Sequence, residues 1–461
     1  MKYTGIAIAS ILLLGGLFWT SCSEDAPAGP AICEDCNVIF MLVDTLRADH
    51  LGVYGYERPT SPTLDALAEG GLTFLNAASQ SSCTFPSVNS LLTSQYTFPF
   101  LDPETRPAVP DHIPYLPDIL AANGYTTAGI SASPIVRAKP GKFNPVGGFG
   151  RGFERFDDSC EWRRADCVHR LALEELDRQS DKPFFLYLHY IDVHDPYNPP
   201  PTIRGTFSSP YEGDHEFVEQ GDPNPIQKLI REGQADALLT ADDFQHLVDL
   251  YDEEILLFDG FLKNFLDELE KRGLREKTIL VITSDHGEEF YEHQLVKHCG
   301  SVYDTETHVP LIFDIPVVTQ PARVPYNVEN TDVVPTLLDY LGIAVDPSWD
   351  LQGQSLRTLI EGGTRTEERF SYTAMGVHRG INDDRYKLIQ NLGTSTYRLY
   401  DSENDPEQQN NVLETERRVF RQLQDRLHEW SREHEGDEEV DDRLKKAKEV
   451  EEQLRSLGYL G

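Results

Sequence analysis

Asn37-Val-Ile-Phe-Met-Leu-Val-Asp44-Thr-Leu-Arg47 holds six consecutive apolar residues closed by a carboxylate. A short apolar run without polar alternation reads as a strand buried on both faces. Residues 184–191, 279–283 and 309–315 follow the same design, and all four runs read as buried parallel strands. Helical periodicity separates them, over 62–70, 168–178 and 249–272, the last stopped by Gly273. Strands alternating with helices predict an α/β fold with a doubly wound sheet. Such sheets bind ligands at the carboxyl ends of their strands. Asp44 follows the first run, Asp192 and His194 the second, and Asp285 and His286 the third.

Around these strands, 461 residues suffice for a large domain with a smaller appendage. With 41 basic against 77 acidic residues, the net charge of −36 argues against nucleic acid and anionic membrane surfaces as partners. An anionic substrate then needs a local reversal of potential, which metal ions supply. The acidic run 433–442 reads as a solvated face. At the start, Lys2 precedes an apolar run over 6–19 and then Thr20-Ser21-Cys22. This resembles a lipoprotein signal over 1–21, with Cys22 lipidated and 22–36 as a tether; the apolar run is short for a membrane span. The expectation is an exported chain, anchored by lipid at the bacterial cell envelope. Six further cysteines suggest disulfides in an oxidising compartment. Cys160 with Cys167 could clip a loop, Cys33 and Cys36 are close enough to pair or could instead bond to others, and Cys83–Cys299 is a hypothesis because both flank chemical motifs.

Two of those motifs are Ser82-Cys83-Thr84-Phe85-Pro86-Ser87-Val88 and Thr283-Ser-Asp285-His286-Gly287-Glu288. Pro86 suits the first turn of a helix, which puts Thr84 at its positive end, as a cap or as a nucleophile facing an anion. Adjacent Asp285 and His286 can reach one ion, with Gly287 permitting a sharp exit. His189, Asp192, His194 and Asp195 cluster after the second strand, and His298 and His308 follow the third. Residues 198–239, rich in Pro, Gly and acid, read as an insertion or lid. A second unit begins after Asp346, with strand candidates at 386–388 and 397–400. Phe420, Leu423, Leu427 and Trp430, then Leu444, Ala447, Leu454 and Leu457, form helical packing stripes.

Together VDTLRADHLGVYG, TFPSVNSLLTS, PFFLYLHYIDVHDPY, TSDHGEEF, YDTETHVPLIF, NTDVVPTLLDYLGI and RLYDSENDPEQQNNV resemble the sulfatase family of the alkaline-phosphatase superfamily. The resemblance implies a large mixed sheet sandwiched by helices over 37–345 and a smaller α+β subdomain with a helical tail over 346–461. It implies Asp44, Thr84, Asp285 and His286 as metal ligands, with Thr84 also the nucleophile. His194 and His298 take catalytic positions on the transferring or leaving group, and Asp192 and His308 positions on the substrate anion; Asp192, His194 and His298 are also candidates for a second metal site. Sulfatases of this kind carry Cys or Ser in a C/S-x-P-x-R pattern that matures to formylglycine. Here Thr84 and Val88 stand at those ends, and His286 replaces the usual Asn, which favours zinc or manganese over calcium or magnesium. The expected activity is hydrolysis of a sulfate or phosphate (di)ester. The alternatives are a phosphoethanolamine-type transferase acting on a surface glycan or lipid, and a non-catalytic binding homologue.

Overall fold

In the computed structural model, residues 32–98, 109–160, 165–178, 181–211 and 234–435 are described, with a few positions beyond (229, 442, 445, 448, 449 and 452). The signal segment 1–21, Cys22, half of the insertion and the stripe Leu444, Ala447, Leu454 and Leu457 lie outside them. No described helix is long and apolar enough to cross a membrane.

The first apolar run is β1 (Asn37–Val43), buried along its whole length. Its side chains alternate between two cores. Val38, Phe40 and Leu42 pack with helices α2 (Thr84–Thr93), α3 (Leu116–Ala122) and α6 (Val333–Tyr340). Ile39, Met41 and Val43 pack with α1 (Pro62–Gly70), α4 (Ala165–Asp177) and α5 (Ala241–Lys271). A strand so placed has no polar face, which is why it reads as continuous apolar sequence. With β2 (Leu72–Ala78), β3 (Thr126–Ser131), β4 (Arg155–Asp157), β5 (Phe184–Tyr190), β6 (Thr278–Thr283), β9 (His308–Asp314) and β10 (Ala322–Glu329) it forms an eight-stranded sheet in the order β10-β2-β9-β6-β1-β5-β3-β4.

Parallel pairing sets Val43 beside Tyr190 and Leu42 beside Thr283, so β1, β5 and β6 end at one rim. The expectation for 309–315 was a parallel strand; instead β9 runs antiparallel to both β6 and β2. The chain between β6 and β9 holds only the two-residue strands β7 (Glu289–Phe290) and β8 (Val296–Lys297) and a single helical turn, Asp304–Thr307. Without a crossover helix the chain re-enters the sheet from the rim it left, which forces reversal.

A second, antiparallel sheet follows, β11 (Ser371–Met375), β12 (His378–Asn382), β13 (Tyr386–Asn391) and β14 (Thr396–Asp401) in simple order. One face is covered by α7 (Arg417–Glu435), through Leu423, Leu427 and Trp430 on Ile381, Leu388 and Leu399. The other face places Met375, Ile389 and Tyr400 against Val302, Tyr303, Cys83 and Cys299.

Disulfides join Cys33 to Cys36, Cys83 to Cys299 and Cys160 to Cys167. Cys33 and Cys36 are each 5% exposed and the Cys33 amide bonds to the Tyr340 carbonyl, so this end of the expected tether belongs to the core. The described stem of the insertion is bound to α5. Asn198 N–H donates to Glu254 Oε1, and the amides of Gly205, Phe207 and Ser208 donate to Glu253 Oε1.

Candidate active site

Asp44 is the first residue past β1. Thr45, next in the chain, takes a left-handed φ of 59°, an outlier for a β-branched residue that costs on the order of 1–3 kcal/mol. Three bonds hold it there: its hydroxyl to Val193 O (3.0 Å), its amide to Asp285 Oδ1 (3.3 Å) and its carbonyl from Tyr251 OH (2.7 Å). The turn thereby fastens the ends of β1, β5 and β6 to one another.

One oxygen of Asp44, Oδ2, lies 3.1 Å from His189 Nε2, and His189 Nδ1 lies 3.0 Å from the Tyr187 hydroxyl. Burial pushes His189 down to about 4, so the ring is neutral near pH 7. A carboxylate accepts only, so Nε2 carries the proton and Nδ1 accepts from Tyr187. The other oxygen of Asp44 and Oδ2 of Asp285 are buried with no hydrogen-bond partner. Burial, and then the Asp285 carboxylate, push the Asp44 carboxyl well above its ordinary range.

His286 completes the group. Its Nδ1 is 2.9 Å from the Gly287 carbonyl, which fixes the proton there in the neutral ring and turns Nε2 inward. Nε2 lies 3.4 Å from Asp285 Oδ2, 3.8 Å from Asp44 Oδ1 and 3.1 Å from Thr84 Oγ1. One ligand atom each from Asp44, Asp285 and His286 lie within 4.8 Å of one another, the one such group of His, Cys, Asp and Glu among the described residues. Two orphaned carboxylate oxygens and an imidazole lone pair at that spacing fit a divalent cation. Gly287 is needed for a different reason than expected. It does not have positive φ; a side chain there would sit 2.1 Å from the Thr305 carbonyl.

Thr84 opens α2 as its first helical residue, after the N-cap Cys83, and makes no capping bond. The hydroxyl instead faces His286. Ser87 anchors the helix to the same strand end by donating to the Asp285 carbonyl at 2.5 Å. The rings of His298 and His286 are 4.4 Å apart, and those of His194 and His298 4.9 Å. Burial lowers the pKa of both His194 and His298 well below the ordinary value, with the neighbouring imidazoles adding to it. Both rings are therefore neutral at neutral pH, and the one proton of His194 is on Nδ1, which lies 2.6 Å from the Asp195 carbonyl. Arg47 is spent elsewhere: it bonds Asp49, Glu292 and the Glu288 carbonyl.

Two expected substrate residues are occupied by backbone groups. Asp192 Oδ1 accepts from the Ala165 amide at the start of α4 (3.1 Å), and His308 Nε2 meets the Leu75 carbonyl (2.8 Å). Asp192, His194 and His298 do not gather as a second ligand group among the described residues. Sequence reasoning gave no role to His189, inside an aromatic strand, or to Glu288, whose Oε1 lies 3.0 Å from His298 Nδ1.

The mixed sheet between helix layers, the small antiparallel sheet and a buried acid–imidazole–hydroxyl cluster at the strand ends define an ester hydrolase of the alkaline-phosphatase-like fold. The family model "Sulfatase" matches residues 36–343, and "N-sulphoglucosamine sulphohydrolase, C-terminal" matches 292–433. The chain belongs to the sulfatase family. A sulfatase of Formosa agariphila is 23% identical over 446 residues, 86% of each chain. Among solved structures, a 2-O GAG sulfatase superposes with a TM-score of 0.69 at 22% identity, covering 88% of this chain and 93% of its own. The phosphonate monoester hydrolase of Agrobacterium radiobacter superposes with a TM-score of 0.66 at 18% identity, covering 87% and 96%. Sulfatases generally use a divalent metal, and Asp44, Asp285 and His286 form a possible site for one.

Proposed function

We propose that the protein is a metal-dependent hydrolase of phosphate, phosphonate or sulfate esters in which Thr84 is the nucleophile. The observation that carries this is the Thr84 hydroxyl, 3.1 Å from the inward nitrogen of His286 and beside two orphaned carboxylate oxygens. Asp44, Asp285 and His286 would hold the metal, with Thr84 as a further oxygen ligand; the His286 imidazole favours zinc or manganese. When bound, the cation supplies Lewis acidity that lowers the hydroxyl pKa and screens the substrate oxyanion.

The Thr84 oxygen attacks phosphorus or sulfur, and the bond to the leaving oxygen breaks with its electron pair. His194 and His298 flank the transferring group, and with the one proton of His194 held on Nδ1 by the Asp195 carbonyl its Nε2 is a base for the proton of the attacking water. Water must then attack the same phosphorus or sulfur, because a threonine ester lacks the geminal hydroxyl by which a formylglycine hydrate expels its sulfate. That second displacement favours phosphate and phosphonate esters over sulfate esters, and the fold shared with a phosphonate monoester hydrolase supports the same direction.

On a panel of para-nitrophenyl phosphate, phenylphosphonate, bis-para-nitrophenyl phosphate and para-nitrophenyl sulfate, a phosphorus ester is expected to turn over fastest. Thr84→Ala is expected to lower kcat/KM by about a thousandfold, the range for removing a nucleophile. Turnover within about threefold of wild type would exclude Thr84 from the chemistry.

A further inference from the structure

Asp195 and Tyr197 leave β5 at the root of the insertion and turn back onto the segment that carries His298. Asp195 Oδ2 pairs with Lys297 Nζ at 2.8 Å, next to His298 in the chain. The Tyr197 hydroxyl donates to Glu288 Oε2 at 2.9 Å, and the other Glu288 oxygen lies 3.0 Å from His298 Nδ1. Glu288 is 0% exposed, His298 3% and Tyr197 4%, so no solvent competes for these bonds. Tyr197 is itself wedged by Tyr251 and Phe290, with ring centres 5.6 and 5.9 Å away. The next residue, Asn198, is tied to α5 through Glu254.

An imidazole on its Cβ keeps a broad torsional freedom about its ring bond. A partner on Nδ1 removes it and aims the other nitrogen, as outer partners do for ligating histidines. We propose that Glu288, held by Tyr197, and the Asp195–Lys297 pair position His298 against the transferring group. The root of the insertion is thereby part of the alignment of the site, and these four residues act through His298. The inference rests on the placement of His298 in the reading given above and assigns the residues that act through it.

A double-mutant cycle tests it. Glu288→Ala and Tyr197→Phe are each expected to lower kcat on the best phosphorus ester by about tenfold with KM within about twofold, the size of loss expected from misplacing one group. Glu288→Gln keeps an acceptor for Nδ1 and is expected to stay within about threefold of wild type. In a His298→Ala background neither change should cost anything further. The same cycle is read without turnover, as the affinity of metal-loaded protein for inorganic phosphate by calorimetry, and should again be non-additive. Losses that add to those of His298→Ala, or an equal loss in Glu288→Gln, would overturn the positioning role. Wild-type protein inert towards every ester would instead sink the functional reading, while the phosphate cycle still decides whether His298 is held this way.

Discussion

Asp44 has one oxygen held by the neutral ring of His189 and one turned towards Asp285 and His286 with nothing bonded to it. Loss of His189 leaves the carboxylate in place but lets it rotate. His189→Ala is therefore expected to weaken metal binding by about 10–100-fold, the usual cost of losing an outer partner. Competition with a fluorescent chelator measures this, and unchanged affinity would show that Asp44 needs no orienting. Asp44, Thr84, Asp285 and His286 came into view only as a set, through motifs that resemble one family, because a single acid at a strand end or a hydroxyl at a helix start is common without a task. His189 stood in the cluster after the second strand without a role, because an orienting residue works from inside the strand. Asp192 and His308 show the converse: an acid or imidazole at a strand end looks the same whether it meets a ligand or, as here, a backbone group.

The small sheet carries its own titrating residue. His378 opens β12 opposite Asn391 on β13, whose side-chain amide lies 3.0 Å from His378 Nε2. Burial, then Arg379 and Arg398, hold its pKa down to about 4. The folded state thus refuses a proton that the unfolded chain accepts near 6.5. Stability is lost as the pH falls from about 6.5 towards 4, roughly 2 kcal/mol of it between pH 7 and 5. His378→Asn is expected to flatten that slope by about this amount in urea titrations at the two pH values; an unchanged slope would place the acid sensitivity elsewhere. Strand direction was the limit of sequence reading at this level. Residues 309–315 are buried on both faces as a parallel strand would be, and only the missing crossover helix before them reveals the reversal. β2, β3 and β10 escaped notice because alanine, threonine, glycine and proline break their apolar runs.

Among the described residues, the three disulfides differ sharply in reach: 3 residues for Cys33–Cys36, 7 for Cys160–Cys167 and 216 for Cys83–Cys299. Closing the longest loop restricts the unfolded chain most, by about 5 kcal/mol in the chain-entropy account. Cys83→Ala with Cys299→Ala is expected to lower the denaturant midpoint far more than Cys160→Ala with Cys167→Ala; equal losses would make the long bridge thermodynamically idle. The alternation of strands and helices and two strands of the second sheet followed from hydrophobic period, while the sandwiched mixed sheet with its small subdomain is what the family resemblance implied. The three cysteine pairs were candidates from spacing and from the motifs that Cys83 and Cys299 flank, and the structure joins those same pairs.

That long bridge joins the neighbour of Thr84 to the neighbour of His298, so the start of α2 and the segment that carries His298 are stapled together across 216 residues of chain. A ribosome still short of codon 299 has made all of that helix and only one end of the staple.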